Sequence, residues 1–155
     1  MCSLNNIKMA GDNICILSYN SRGFNECKKD FMKSLVSIAG CQAIICNQEN
    51  FILKNNAYVV KQTLPDHKIF FKEAWKSGLE GRPKNGMFIA IPKSLKIDTI
   101  SDVSPRSSRI QSLVIPICSY RLLLLNTYFP TDPGSNFDEN ALLLMLSDIE
   151  KNSAE

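Results

Sequence analysis

One histidine, one tryptophan and no Cys-x-x-Cys pair occur in these 155 residues, and each scarcity removes a class of function. With His67 alone and its six cysteines scattered, the chain has no conventional Cys/His zinc site. No apolar run approaches the roughly 18 residues that span a bilayer. The polar start Met1-Cys2-Ser3-Leu4-Asn5-Asn6 lacks the basic-then-apolar layout of a secretory signal. A soluble intracellular protein, cytoplasmic or nuclear and with no membrane association, is the expectation. Cys15 and Cys46 lie inside apolar runs, as free buried thiols do, so reduced structural cysteines are expected. Repeats, linkers and low-complexity stretches are absent too, which leaves one folded unit with one core over residues 1–155.

Charge is present but unevenly spread. From Lys68 to Lys96 seven basic residues face only Glu73 and Glu80, whereas from Phe137 onward five acidic residues face only Lys151. A basic middle can pair with a phosphate backbone, and it can equally be a solvated loop.

Ile14-Cys15-Ile16-Leu17-Ser18-Tyr19 and Ala43-Ile44-Ile45-Cys46 read as buried strands, with helical spacing of apolar residues from Asp30 to Ala39 between them and Gly40 as a stop. Strand, helix, strand over so short a span predicts a crossover joining two parallel strands. Ala57-Tyr58-Val59-Val60 and Lys68-Ile69-Phe70-Phe71 read as a strand pair, and the glycine-bearing stretch Lys76–Gly86 as a loop. Met87 to Ile91 is a further strand. Ile110–Ile117 and Arg121–Tyr128 suggest a hairpin turning at Cys118-Ser119-Tyr120. A closing helix is expected after Pro133-Gly134, with Asn136 and Glu139 as a capping pair and Leu142, Met145, Leu146 and Ile149 as its apolar stripe.

Asn20, Glu49 and Tyr128 each lie just beyond or at the end of an apolar strand, where ligands collect in α/β sheets. Parallel first and second strands bring Asn20 and Glu49 to one rim. An amide oxygen beside a carboxylate suits a hard divalent ion such as Mg²⁺, which takes one or two carboxylates and keeps several waters. A phenol nearby can position a phosphoryl oxygen.

Ser18-Tyr19-Asn20-Ser21-Arg22-Gly23-Phe24-Asn25 resembles the opening N-x-R-G motif of the endonuclease/exonuclease/phosphatase superfamily, whose members are DNase I-like. Ile44 to Asn50 is similar to its I-x-x-x-Q-E element, Pro83 to Ile91 to its Gly-led strand, and Ser108-Arg109-Ile110 to its Arg-led one. Asn126-Thr127-Tyr128-Phe129-Pro130 resembles its N-x-Y-x-P element. These five motifs stand in the superfamily's order and cover nearly the whole chain. Within it, Leu125 to Pro133 followed by Phe137-Asp138-Glu139-Asn140 looks most like the endonuclease of non-LTR retroelement polyproteins, where it precedes a reverse transcriptase.

The resemblance implies an α/β fold of the α+β sandwich type, the N-terminal half of a four-layered DNase I-like domain. It implies Mg²⁺ (or Mn²⁺) on Glu49, catalytic roles for Asn20 and Tyr128, and contacts to DNA phosphates from Arg109, Asn126, Arg82, Lys84 and Asn85. The resemblance ends before the superfamily's later D-x-N motif and its terminal S-D-H motif, which carry an acidic group and a histidine. His67, in the first half between strands, is no substitute. Hydrolysis needs the nucleophile activated and the developing charge neutralised together, so a truncated and inactive domain is expected. About one sheet with its helices is expected as well, its bare inner face inviting self-association or the remainder of a retroelement polyprotein. Two other functions stay open: a small-molecule or lipid phosphatase of the same superfamily, and a non-catalytic nucleic-acid-binding fragment.

Overall fold

The computed structural model describes residues 2–9, 12–39, 43–76, 78, 81–97, 99–104, 109–117 and 120–128. Strand β2 (Asp12–Asn20) leads into helix α1 (Glu26–Ala39) and then β3 (Ala43–Gln48), which lies parallel to β2 with Cys15 opposite Ala43 and Asn20 opposite Gln48. This is the crossover that the apolar pattern predicts. Helix α1 begins earlier than its apolar spacing indicates. Asn25 caps it, its Oδ1 accepting the Lys28 amide at 3.1 Å, and Glu26 in the first turn complements the helix dipole. The polar Glu26-Cys27-Lys28-Lys29 turn carries no apolar period to announce it.

Two strands join this unit on one side and one on the other. β1 (Cys2–Met9), in a stretch read as merely polar, pairs antiparallel with β2. β4 (His67–Trp75) and β5 (Lys84–Pro92) form a hairpin whose β5 lies antiparallel to β3, giving the sheet order β1-β2-β3-β5-β4. The strand expected at Ala57–Val60 is instead the start of helix α2 (Tyr58–Thr63). Two adjacent valines favour a strand locally, but burial decides otherwise. Val60, Thr63 and Leu64 are buried at helical spacing while Tyr58, Lys61 and Gln62 stay exposed. The Lys76–Gly86 loop is shorter than expected, because Lys84, Asn85 and Gly86 already belong to β5.

A second sheet, β6-β7-β8, is built from β6 (Ser101–Asp102), β7 (Ile110–Ile117) and β8 (Tyr120–Thr127). β7 and β8 are the expected hairpin, with Ile117 opposite Tyr120 and Ile110 opposite Thr127. The expectation of a bare inner face is therefore wrong. Side chains of the first sheet alternate between two cores, as the pleat requires. Leu17, Tyr19, Ile45, Phe88 and Ala90 pack on the helix side with Met32, Val60 and Leu64. Ile14, Ile44, Cys46, Ile89 and Ile91 pack against Leu113, Ile115 and Leu124 of the second sheet. That covered face removes the physical basis for self-association through it. The closing helix with Asn136, Glu139 and Leu142 lies outside the described residues.

Cys15, Cys27 and Cys46 are free thiols, and burial pushes Cys46 up to about 12. Among the described residues no helix is long and apolar enough to cross a membrane. His67 is buried at the start of β4, 3.3 Å from the Ala43 carbonyl oxygen, and its Nδ1 has no partner among the described residues. Burial lowers its pKa, against the raising effects of the Ala43 bond and Asp66. The folded state thus favours neutral His67. Its contribution to stability is full above the ordinary histidine value of about 6.5 and is lost as pH falls toward the lower folded value. The urea midpoint should drop between about pH 7.5 and 5, and His67→Gln should flatten that drop. An identical pH profile for the variant would assign the acid sensitivity to other groups.

Candidate metal and phosphate site

The carboxyl ends of β2 and β3 share one rim because the strands are parallel, and the loops that leave them are bonded to each other. The Ser21 amide donates to Gln48 O at 3.0 Å and the Gly23 amide to Glu49 O at 2.7 Å. Ser21 is buried, with Oγ 3.2 Å from Gln48 O. Asn20 Oδ1 accepts the Arg22 amide at 3.2 Å, closing a tight turn that leaves the amide donor outside it. Asn20 and Glu49 are thus held together, as the parallel pairing predicts.

Four non-glycine residues around this rim take left-handed backbone conformations: Arg22 (φ 49°), Glu49 (φ 52°), Phe51 (φ 59°) and Asn85 (φ 62°). Such conformations cost on the order of 1 kcal/mol each and persist where surrounding bonds enforce them. Here the bonds are visible. The Asn50 and Phe51 amides both donate at 3.1 Å, to Gly86 O and Asn85 O, and the Ala74 amide donates to Ile52 O at 2.9 Å. Asn50 is buried and its Oδ1 accepts the Ile52 amide at 2.9 Å. Glu49 therefore sits in a segment pinned by β5 and by the end of β4.

Tyr128 arrives from the other sheet. Its amide donates to Arg109 O at 2.9 Å, and its phenol faces the Glu49 carboxylate, close enough for that group to act on its protonation. Burial raises the Tyr128 pKa, and the hydrogen bond to Glu49 and that residue's charge raise it further, against Arg109 and Arg22. The phenol consequently stays protonated, as a donor should. Arg22, quoted within the N-x-R-G motif but assigned no role from sequence, joins Arg109 in the positive field around the pair.

Five polar bonds among the described residues tie the sheets at this end. Gln48 Nε2 donates to Asn126 Oδ1 at 2.6 Å, Gln111 Nε2 to Phe70 O at 2.9 Å and Lys72 Nζ to Ile110 O at 2.7 Å. Asn126 also donates to Asn47 O at 3.0 Å and Phe88 O at 3.2 Å. At 1% exposure, with acceptor and donors engaged, Asn126 is not placed to bind a phosphate. The sequence expectation is corrected: its side chain clamps β8 onto β3, two residues before Tyr128 and one before Glu49. Asn126 and Gln48 were legible as motif residues, but their partnership was not.

The remaining expected residues lie on the same rim, toward its edge. Lys84 and Asn85 are in β5 and not on a free loop; Lys84 pairs with Trp75 and Asn85 O accepts the Phe51 amide. The Arg82 guanidinium lies over the Phe51 ring, 4.9 Å from its centroid. His67, at the far end of β4, takes no part.

Among the described residues no cluster of three or more His, Cys, Asp or Glu could hold a metal. The Glu49 carboxylate nonetheless fits Mg²⁺, which completes its shell with water and substrate phosphate and rarely has an all-protein cage; Asn20 Oδ1 already accepts the Arg22 amide, and the protonated Tyr128 phenol is a donor. Zinc would need more nitrogen or sulfur donors than this rim offers.

No protein-family model matches the sequence. No curated protein matches it either. Among solved structures it is similar to the crystal structure of the AP endonuclease LMAP from Leishmania major, with 12% identity and a TM-score of 0.57. The match covers 74% of this chain and 40% of that one, so the chain spans less than half of that enzyme's length. The architecture, two packed sheets with few helices, is accordingly an α+β sandwich of the DNase I-like kind.

Proposed function

We propose that this rim is the metal-holding part of a Mg²⁺-dependent phosphodiesterase site acting on DNA, of the kind found in retroelement endonucleases. The observation that carries the reading is the rim on which the Glu49 segment is bonded to the loop after Asn20 and to β5, with Tyr128, bonded to Arg109 O, brought to the same end by the second sheet. Glu49 would ligate the ion and Asn20 would stand beside it. The ion, Mg²⁺ or Mn²⁺, would neutralise charge on a phosphoryl oxygen. Tyr128, kept protonated, holds the carboxylate in place and can hand its donor to a phosphate oxygen. The guanidinium groups of Arg22 and Arg109 draw in the phosphodiester. The groups that supply the acid and the histidine in the superfamily would come from outside this rim, such as the remainder of a polyprotein.

Two measurements test this. Thermal unfolding with Mg²⁺ at about ten times its Kd should stabilise the chain by about 1.4 kcal/mol, and Glu49→Ala should remove that gain. Equal stabilisation of both proteins would take the ion away from Glu49. In a supercoiled-plasmid assay the 155 residues should nick at background rate. Nicking abolished by Glu49→Ala would uphold the site and overturn the expected inactivity.

A further inference from the structure

Trp75, the only tryptophan of the sequence, is 56% exposed, although a ring of this size normally contributes its area to a core. It ends β4, the edge strand of the first sheet, and lies opposite Lys84. The pleat explains why it emerges. Ile69 and Phe71 point into the helix-side core, and Trp75 continues the same face beyond the point where that core stops.

Its position relative to the site is set by backbone bonds. The neighbouring Ala74 amide donates to Ile52 O, three residues after Glu49. The Phe51 amide donates to Asn85 O, next to Lys84, and the Phe51 ring carries the Arg82 guanidinium. An exposed indole thus stands opposite Lys84, and Arg82, two residues before Lys84, is held against the Phe51 ring at the end of β5 to which the Glu49 segment is bonded. Glu73, also exposed, is the carboxylate nearest in sequence. A flat apolar ring among cations suits one ligand class in particular, since aromatic faces stack on unpaired bases while lysine and arginine track the backbone.

We propose that Trp75 is a stacking platform for an unpaired nucleobase of a DNA strand, with Lys84 and Arg82 holding the adjoining phosphates. This rests on the reading of the rim as a DNA phosphodiesterase site and adds the part of the substrate it grips: a base exposed outside a duplex, beside the phosphodiester. A duplex end or a locally opened strand presents such a base, and a closed duplex does not.

The lone tryptophan makes the test direct. The full 155-residue chain is titrated with oligothymidylate in EDTA, following intrinsic fluorescence and, separately, the anisotropy of a labelled strand. Binding should quench the tryptophan, Trp75→Ala should weaken Kd about tenfold, and Trp75→Phe should keep most of the affinity. The ratio between wild type and Trp75→Ala should hold as salt rises, because stacking is not ionic, whereas Lys84→Ala should lower the salt slope. Saturating binding without quenching, equal affinity for Trp75→Ala, or the same quenching by a relaxed, covalently closed circular duplex would overturn the proposal. Because these titrations contain no metal, they fail independently of the Glu49 measurements. Absence of any binding to oligothymidylate would overturn the stacking proposal and leave the reading of the rim to the Glu49 measurements.

Discussion

Replacing Asn126 by leucine, nearly the same shape without the amide, is expected to lower stability by about 3 kcal/mol. The side chain accepts from Gln48 and donates to the carbonyls of Asn47 and Phe88, at 2.6, 3.0 and 3.2 Å, and is 1% exposed. Leucine leaves both carbonyls short of a donor in a dry place, and each buried group so deprived costs about 1–3 kcal/mol. Gln48 keeps Ser18 Oγ at 3.0 Å and Cys46 O at 3.2 Å, so its own loss is smaller. For a chain of this size the melting temperature should fall by roughly 6–12 °C. A difference below about 0.5 kcal/mol in urea unfolding would mean that apolar packing alone docks the two sheets. The substitution should also loosen the contact between Tyr128 and Glu49, so the Tyr128 pKa, raised in the native protein, should return toward its ordinary value. A spectrophotometric titration of Asn126→Leu against wild type reads this shift.

Gly86→Ala should be about as damaging, for a different reason. Gly86 has φ +82°, and a Cβ there would run into Asn50 Oδ1 and lie 3.1 Å from Ala74 Cβ and 3.3 Å from Ala74 Cα. None of these neighbours can retreat easily. Asn50 is buried and holds the Ile52 amide, and Ala74 Cα is backbone within β4. Left-handed conformation costs an alanine roughly 1–2 kcal/mol, and overpacking adds about 1–3 kcal/mol. Gly78 is the natural control. It too has positive φ, 71°, yet nothing lies within 4 Å of its would-be Cβ. Gly78→Ala should therefore lose only the backbone part, about 1 kcal/mol. Equal losses at the two glycines would refute the idea that close approach between β5 and the Glu49 segment matters. The strain of Gly86→Ala falls on residues 50–52, so Glu49-dependent stabilisation by Mg²⁺ should weaken with it.

The elements legible in the sequence were those whose own residues carry the signal. Ile14–Tyr19, Ala43–Cys46 and Met87–Ile91 are continuous apolar runs because their sheet is covered on both faces, and such runs need no partner to be recognised. Once β2 and β3 were read as a parallel pair around a helix, the neighbourhood of Asn20 and Glu49 followed from topology alone. β1 escaped notice because Asn5-Asn6 interrupts the alternation of apolar and polar residues in Cys2–Met9, and the pairing with β2 makes it a strand. α2 was misread because Val59 and Val60 favour a strand locally, and only the position of the core chose the helix that buries Val60, Thr63 and Leu64 together.

The sequence by itself determined the crossover, the rim that holds Asn20 and Glu49, and the arrival of Tyr128 at the end of a strand. Tertiary structure alone decided that the second hairpin covers the first sheet's inner face, and hence that Tyr128 meets Glu49. The physical reason lies in range. Strand periodicity is written in neighbouring residues, but the bond between Gln48 and Asn126 joins positions 78 apart in the chain, and no local pattern encodes which buried amide answers which. The same bond turned Asn126 from an expected phosphate ligand into the clamp that assembles the site.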